Sequence, residues 1–295
     1  MERFDVAVTG GTLAVWRDGA PLGTAPVVLA AHGITGNQVS WDRVRRDLGD
    51  RCTFVAADLR GRGCSSHTGE PFGMAAHAAD QIAVLDHLDV EKALLLGHSM
   101  GAYVMARVAA DNPERAVAAV LVDGGISLPF EPSADVDVQA IIDAVLGPAV
   151  ARLKMTFPTR DAYADFFRAH PAFTGGQIDD EDLTAYVSHD SVEQGDGSIR
   201  SSVQEAAVRA DGADVLVAGE AAHRIAVDAV VLRAPRGLLD QPEPLIPGDL
   251  ATSWAGEDPG RRNVVDVDDV NHYSIVMGRG AATVAAAVVR YGASS

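Results

Sequence analysis

The string Gly97-His98-Ser99-Met100-Gly101 sets a serine midway between two glycines. It directly follows the apolar run 93–96 and opens a helical pattern at Met100, so Ser99 is expected on a tight strand-to-helix turn. Such a turn forces an unfavourable backbone on the serine, and the flanking glycines let neighbouring chain approach without a Cβ clash. The hydroxyl is then lifted above a sheet near the positive end of a helix, where a nucleophile belongs. Serine at its free pKa is a poor nucleophile and needs a base that is itself oriented by a third group.

Nine histidines compete for that role. His272 stands in Asp269-Val270-Asn271-His272-Tyr273-Ser274, a loop between the last strand pattern and the last helix, where a parallel sheet returns a side chain to its carboxyl edge. His98, beside the nucleophile, and His32, which opens a glycine loop, are expected to matter structurally. His67, His77, His87, His170, His189 and His223 lie on helical or polar stretches and are expected on the surface. For the carboxylate the sequence leaves a choice. Asp123 closes an apolar strand before Gly124-Gly125, and reach favours it. Asp240, eight residues beyond Leu232, is the alternative, with Glu243 behind both. The oxyanion of a tetrahedral intermediate needs two donors. The backbone N–H of Met100 and that of Ile34, in His32-Gly33-Ile34-Thr35-Gly36, are the candidates.

The elements that must hold these groups follow a strand–helix rhythm. Residues 6–8 and 12–16 form an opening hairpin around Gly10-Gly11. Runs at 27–31, 53–57, 93–96 and 118–122 are buried strands. Helices are expected at 41–48, capped by Ser40, at 75–88 and at 100–110. Alternation of this kind implies a mostly parallel sheet with right-handed crossovers and helices on both faces. From 127 to 225 the chain turns helical and polar, an insertion of roughly 100 residues, long enough to carry its own structure. Strand patterns resume at 229–232 and 263–267, followed by helices near 246–254 and at 281–290. The organisation read is a core of 1–126 plus 226–295, interrupted by a helical cap at 127–225.

These residues together resemble the α/β-hydrolase superfamily over most of the chain. His32-Gly33-Ile34 resembles its oxyanion loop, Asp58-Leu59-Arg60-Gly61-Arg62-Gly63-Cys64-Ser65 its D-x-R-G-x-G-x-S segment, residues 97–101 its nucleophile elbow, and His272 sits where the family's base does. The resemblance implies an eight-stranded core with a cap inserted after the sixth strand and covering the active site. In many members the acid follows the seventh strand, where this chain has Gly237; others place it after the sixth, which maps to Asp123. Serine at 99, where related dehalogenases and epoxide hydrolases carry aspartate, argues against both activities.

The expected activity is hydrolysis of a small-molecule carboxylic ester or lactone. The alternatives are carbon–carbon bond hydrolysis of a vinylogous diketone by the same groups, and a non-catalytic ligand-binding protein that keeps the fold. His32, Gly33, His98, Phe130, Leu153, Met155, Phe157, Phe166 and Tyr186 are candidates for the pocket wall. A net charge of −17 argues against a nucleic-acid or anionic-membrane partner, and no run reaches the length of a spanning helix. The start, Met1-Glu2-Arg3-Phe4-Asp5, lacks the parts of a secretion signal, so a cytoplasmic location is expected. Cys52 and Cys64 show no metal-ligand spacing and are expected as reduced thiols; no cofactor or metal is called for, and a homodimer is compatible with the composition.

Overall fold

The computed structural model describes residues 1–128 and 138–292, with the side chains of 138–139 and 141–146 also outside the description. Among the described residues the chain forms ten strands and ten α-helices: β1 (Glu2–Val8), β2 (Gly11–Gly19), β3 (Val27–Ala31), α1 (Asp42–Leu48), β4 (Thr53–Ala57), α2 (Met74–His87), β5 (Ala93–His98), α3 (Met100–Asp111), β6 (Ala116–Val122), α4 (Val138–Leu153), α5 (Arg160–Arg168), α6 (Asp180–Asp190), β7 (Ser191–Glu193), β8 (Ile199–Ser201), α7 (Glu205–Ala218), β9 (Asp228–Arg233), α8 (Gly248–Glu257), β10 (Arg262–Asp266), α9 (Ser274–Met277) and α10 (Ala281–Gly292). Eight strands form one sheet in the order β1-β2-β4-β3-β5-β6-β9-β10. The pairs β1·β2 and β2·β4 are antiparallel and all the others parallel, as the alternating pattern implies.

The central strands read as unbroken apolar runs because both faces are covered. Val28 and Ala30 of β3, with Leu94 and Leu96 of β5, face Trp41, Val44 of α1 and Val284 and Val288 of α10. Leu29, Ala31 and Leu95 face the other way, against Val84 and Leu85 of α2, Tyr103 and Met105 of α3 and Trp254 of α8. Truncating one such side chain to alanine costs about 2–5 kcal/mol. The strands of the opening hairpin run longer than the 6–8 and 12–16 expected, and the boundary before α1 also differs. A 3-10 turn, Gln38–Trp41, precedes α1, and Asn37 caps it by accepting from Val39 N–H, while the Ser40 hydroxyl donates back to the Asn37 carbonyl. The extra turn moves the true start upstream, so Ser40 caps nothing.

Between β6 and β9 lie α4 to α7 and a short antiparallel hairpin, β7·β8, for which the sequence carries no strong strand signal. The two legs of this insertion touch: a Cβ added to Gly219 would stand 2.2 Å from Ser127 Cα.

Candidate active site

Ser99 links β5 to α3 with φ 54° and ψ −123°, a positive φ that side-chain-bearing residues rarely adopt. The turn closes because its neighbours lack side chains. A Cβ on Gly97 would lie 2.3 Å from Gly101 O, one on Gly101 2.0 Å from Ala31 O, and one on Gly124 2.5 Å from Ser99 O. Met100 begins α3, so its N–H has no intrahelical acceptor.

Asp123, fully buried at the end of β6, accepts from His272 Nδ1 at 2.7 Å with one oxygen and from Ala234 N–H at 3.1 Å with the other. A carboxylate on Nδ1 fixes that nitrogen as the donor and leaves Nε2 free to accept. Asp240 takes the other fate. It pairs with Arg236 at 2.8 Å and accepts from Asn271 Nδ2 at 3.2 Å, and the Arg236 hydrogen bond holds its carboxyl below the usual range. Asn271 was missed by sequence reasoning. Its Oδ1 accepts from the N–H groups of Tyr273 and Ser274, and its amide donates to Ala172 O, so it pins the loop that carries His272. Adjacency to His272 was the only signal. From the other side His98 Nε2 reaches His272 O at 2.8 Å; burial, then the neighbouring His272, hold the His98 pKa well below its ordinary value, so the ring is neutral and donates.

Ser99 and His272 both line a cavity of about 240 Å³. Among the described residues the Ser99 hydroxyl carries no hydrogen bond in this conformation; in unliganded sites such bonds are often long and tighten with substrate. The glycine loop lies directly over the serine, since a Cβ on Gly33 would stand 3.7 Å from Ser99 Oγ. Gly33 O accepts from Gly36 N–H at 2.9 Å and from His32 Nδ1 at 2.8 Å. Because the peptide plane is rigid, these bonds turn the following N–H, that of Ile34, the opposite way. His32 Nε2 accepts from Leu59 N–H at 2.9 Å, and burial lowers its pKa to about 4. Arg62, also buried, donates to Ile34 O at 2.9 Å and lies 2.6 Å from Asp211 of α7, tying the glycine loop to the insertion. It lies inside the D-x-R-G-x-G-x-S segment, which sequence reasoning used for the resemblance without giving Arg62 a role.

Of the candidate wall residues, Gly33, His98 and Tyr186 line the cavity. His32 does not: its ring is spent on backbone bonds. Phe157 and Phe166 stack in an aromatic cluster with Tyr163 and Phe167, Leu153 packs with Val150, Val203 and Val208, and Met155 faces solvent. Apolar character marks such residues as buried without telling which side of α4 or α5 meets the cavity. Phe130 lies outside the described residues. The insertion instead contributes Pro148, Ala149, Val215 and Leu216, and, against expectation of a surface site, His170. His77 also departs from a surface position: it is fully buried against Asp211 at 3.0 Å. His189 of α6, half-buried, bonds Asp58 at 2.7 Å.

Asp58, Cys64 and His189 place one potential metal-ligand atom each within 4.8 Å of one another. The Asp58 oxygens are already taken by Gln38 N–H, Cys64 N–H and His189, and burial pushes the Cys64 thiol up, away from the thiolate a metal needs. The arrangement acts as a latch between α6 and the core. Both cysteines are free. Among the described residues no helix is long and apolar enough to cross a membrane.

A serine on a strained turn at the carboxyl edge of a mostly parallel eight-stranded sheet, with a helical insertion after the sixth strand, defines the class of α/β hydrolases. The model of the alpha/beta hydrolase fold matches residues 26–189, more than half of the chain, and the chain belongs to that family. A protein of Mycobacterium tuberculosis is 34% identical over 103 residues, 35% of this chain and 30% of that protein. Fluoroacetate dehalogenase from a Burkholderia species is 35% identical over 106 residues, 34% of this chain and 35% of the dehalogenase. The chain thus spans about a third of the length of these curated relatives. The crystal structure of E-2-(acetamidomethylene)succinate hydrolase superposes with a TM-score of 0.77 at 22% identity, covering 97% of this chain and 98% of the other, which is a likeness of fold.

Proposed function

We propose that the protein is a serine hydrolase of a carboxylic ester or lactone, acting through an acyl-enzyme. The observation that carries this reading is the shared cavity of Ser99, on its positive-φ turn, and His272, whose Nδ1 is held by buried Asp123. In the proposed reaction Ser99 Oγ attacks the carbonyl while His272 Nε2 takes its proton, and Asp123 stabilises the imidazolium that forms. The N–H groups of Met100 and Ile34 stabilise the oxyanion, a contribution of about 10²–10³ in rate per donor in comparable sites. His272 returns the proton to the leaving alkoxide, and water, activated by the same ring, releases the acid. Ser99, in the place where the family resemblance puts aspartate in dehalogenases, favours this chemistry over that of the dehalogenase relative.

The insertion, on this reading, is a cap that selects substrate. Its contributions to the cavity are mainly apolar side chains, which suits a medium-sized lipophilic acyl or alcohol group. The test is p-nitrophenyl ester turnover by wild type and Ser99→Ala. A loss on the order of 10³-fold or more is expected; undiminished turnover in the variant removes the proposal.

A further inference from the structure

Among the polar side chains of the cavity wall that this chemistry leaves unused, Tyr103 stands apart. Tyr103 lies on α3 one turn beyond Ser99 and lines the cavity beside Leu128, Val215 and Leu216. The residue is 2% exposed, and its hydroxyl is buried without a hydrogen-bond partner. Several other buried side chains also carry unpartnered polar atoms, among them Gln38, Trp41, His77 and Gln81, but Tyr103 is the one of that group on the cavity wall. Burial, and then the charge of Asp123, push the phenol pKa up, so the O–H stays a donor. Native folds rarely leave such a group unpaired, and because Tyr103 belongs to the wall of a binding cavity, a bound ligand is a source for the missing acceptor.

We propose that Tyr103 is a specificity-determining residue: its O–H donates to an oxygen in the body of the substrate, away from the scissile bond. The preferred substrate is then an ester or lactone bearing a second acceptor oxygen, such as an ether, keto or hydroxyl group. One helical turn, about 5.4 Å, separates the backbone of Tyr103 from that of Ser99, so the test scans the oxygen over several positions beyond the reacting carbonyl. A site with an unpaired polar group discriminates strongly against a ligand lacking the partner, whereas an apolar wall discriminates weakly between methylene lengths. The inference rests on the ester-hydrolase reading of Ser99 and narrows it to a substrate class.

The experiment compares isosteres. One series is p-nitrophenyl octanoate and its analogues with oxygen in place of a single methylene at C4 to C7; the other is octyl butyrate and its oxa-alkyl counterparts, followed by proton release. For each enzyme, kcat/KM of every oxa ester is divided by that of its all-carbon parent. On Tyr103→Phe the ratio at the preferred position is expected to fall about tenfold or more, as loss of a buried hydrogen bond predicts, whichever way the parent's own rate moves. Equal ratios in the two enzymes at every position overturn the inference. Thermal unfolding gives a second reading. If the hydroxyl has no partner within the fold, Tyr103→Phe melts at or above the wild-type temperature; a drop of several degrees means a structural partner, such as trapped water, and also overturns it. Should wild type cleave neither series, the ester reading itself fails; if it cleaves both with unaltered ratios, only the role of Tyr103 falls.

Discussion

Asp123 and Asp240 are both near the His272 loop, and their surroundings separate them. Asp123 is fully buried with one oxygen on the imidazole and the other on Ala234 N–H. Asp240 spends its charge on Arg236 and reaches the loop only through the Asn271 amide. Asp123→Asn is therefore expected to lower kcat by about 10⁴-fold, the scale seen when a triad carboxylate loses its charge, while Asp240→Asn costs far less. Comparable losses from the two changes, measured on one ester, would refute the assignment. At this scale the positive-φ turn at Ser99 and the loop that carries His272 to Asp123 were legible because their signals are local: a glycine-spaced turn, and a loop between the last strand and helix. Tyr103 was not, since nothing in its neighbours announces that the hydroxyl lacks an acceptor. Nor was the burial of His77, which packs against Asp211 through a hydrogen bond to a helix more than a hundred residues away.

The elements were legible where both faces of a strand are apolar, as in β3, β5 and β6, and less so where a turn extends a helix, as before α1. What the chain pattern hides is coupling between elements. Arg62, on the loop after β4, bonds the carbonyl of Ile34 and pairs with Asp211 on α7. Burial works against the Asp211 charge, but Arg62 and then His77 outweigh it and hold the carboxyl far below its usual range. The glycine loop over Ser99 is thereby braced against the insertion. Arg62→Met, which keeps the bulk, should lower kcat with little change in KM, because the brace orients a donor used in the transition state. If the two residues act as a unit, Arg62→Met/Asp211→Asn will lose about as much as Arg62→Met alone; fully additive losses in kcat would sink the coupling. The elbow makes a harder demand. In Gly101→Ala the new methyl meets Ala31 O at 2.0 Å and His32 O at 2.7 Å, both of them backbone atoms. The variant is expected to yield no soluble folded protein, and a normally melting product would contradict the packing.

For the whole molecule, buried histidines set the response to pH. In the folded chain His32 is lowered by burial to about 4 from 6.5, so as pH falls below 6.5 the unfolded chain takes up the proton first. Stability is then lost progressively down to about 4, on the order of 3 kcal/mol for this ring, and His98 acts in the same sense. His189 acts in reverse. Burial alone would lower it, but the Asp58 hydrogen bond and charge raise it, so its contribution is present below 6.5 and lost as pH rises through the folded value. The melting temperature should peak near neutrality, and His189→Gln should flatten the alkaline limb while leaving the acid one. An acid limb that begins only below pH 4 would contradict the His32 assignment. A last consequence follows from the contact of Ser127 with Gly219, where no methyl fits between the two legs of the insertion. A segment whose ends already meet can be exchanged at that stem for the corresponding piece of a cousin, provided the newcomer again supplies partners for Arg62 and Asn271, here Asp211 and the Ala172 carbonyl.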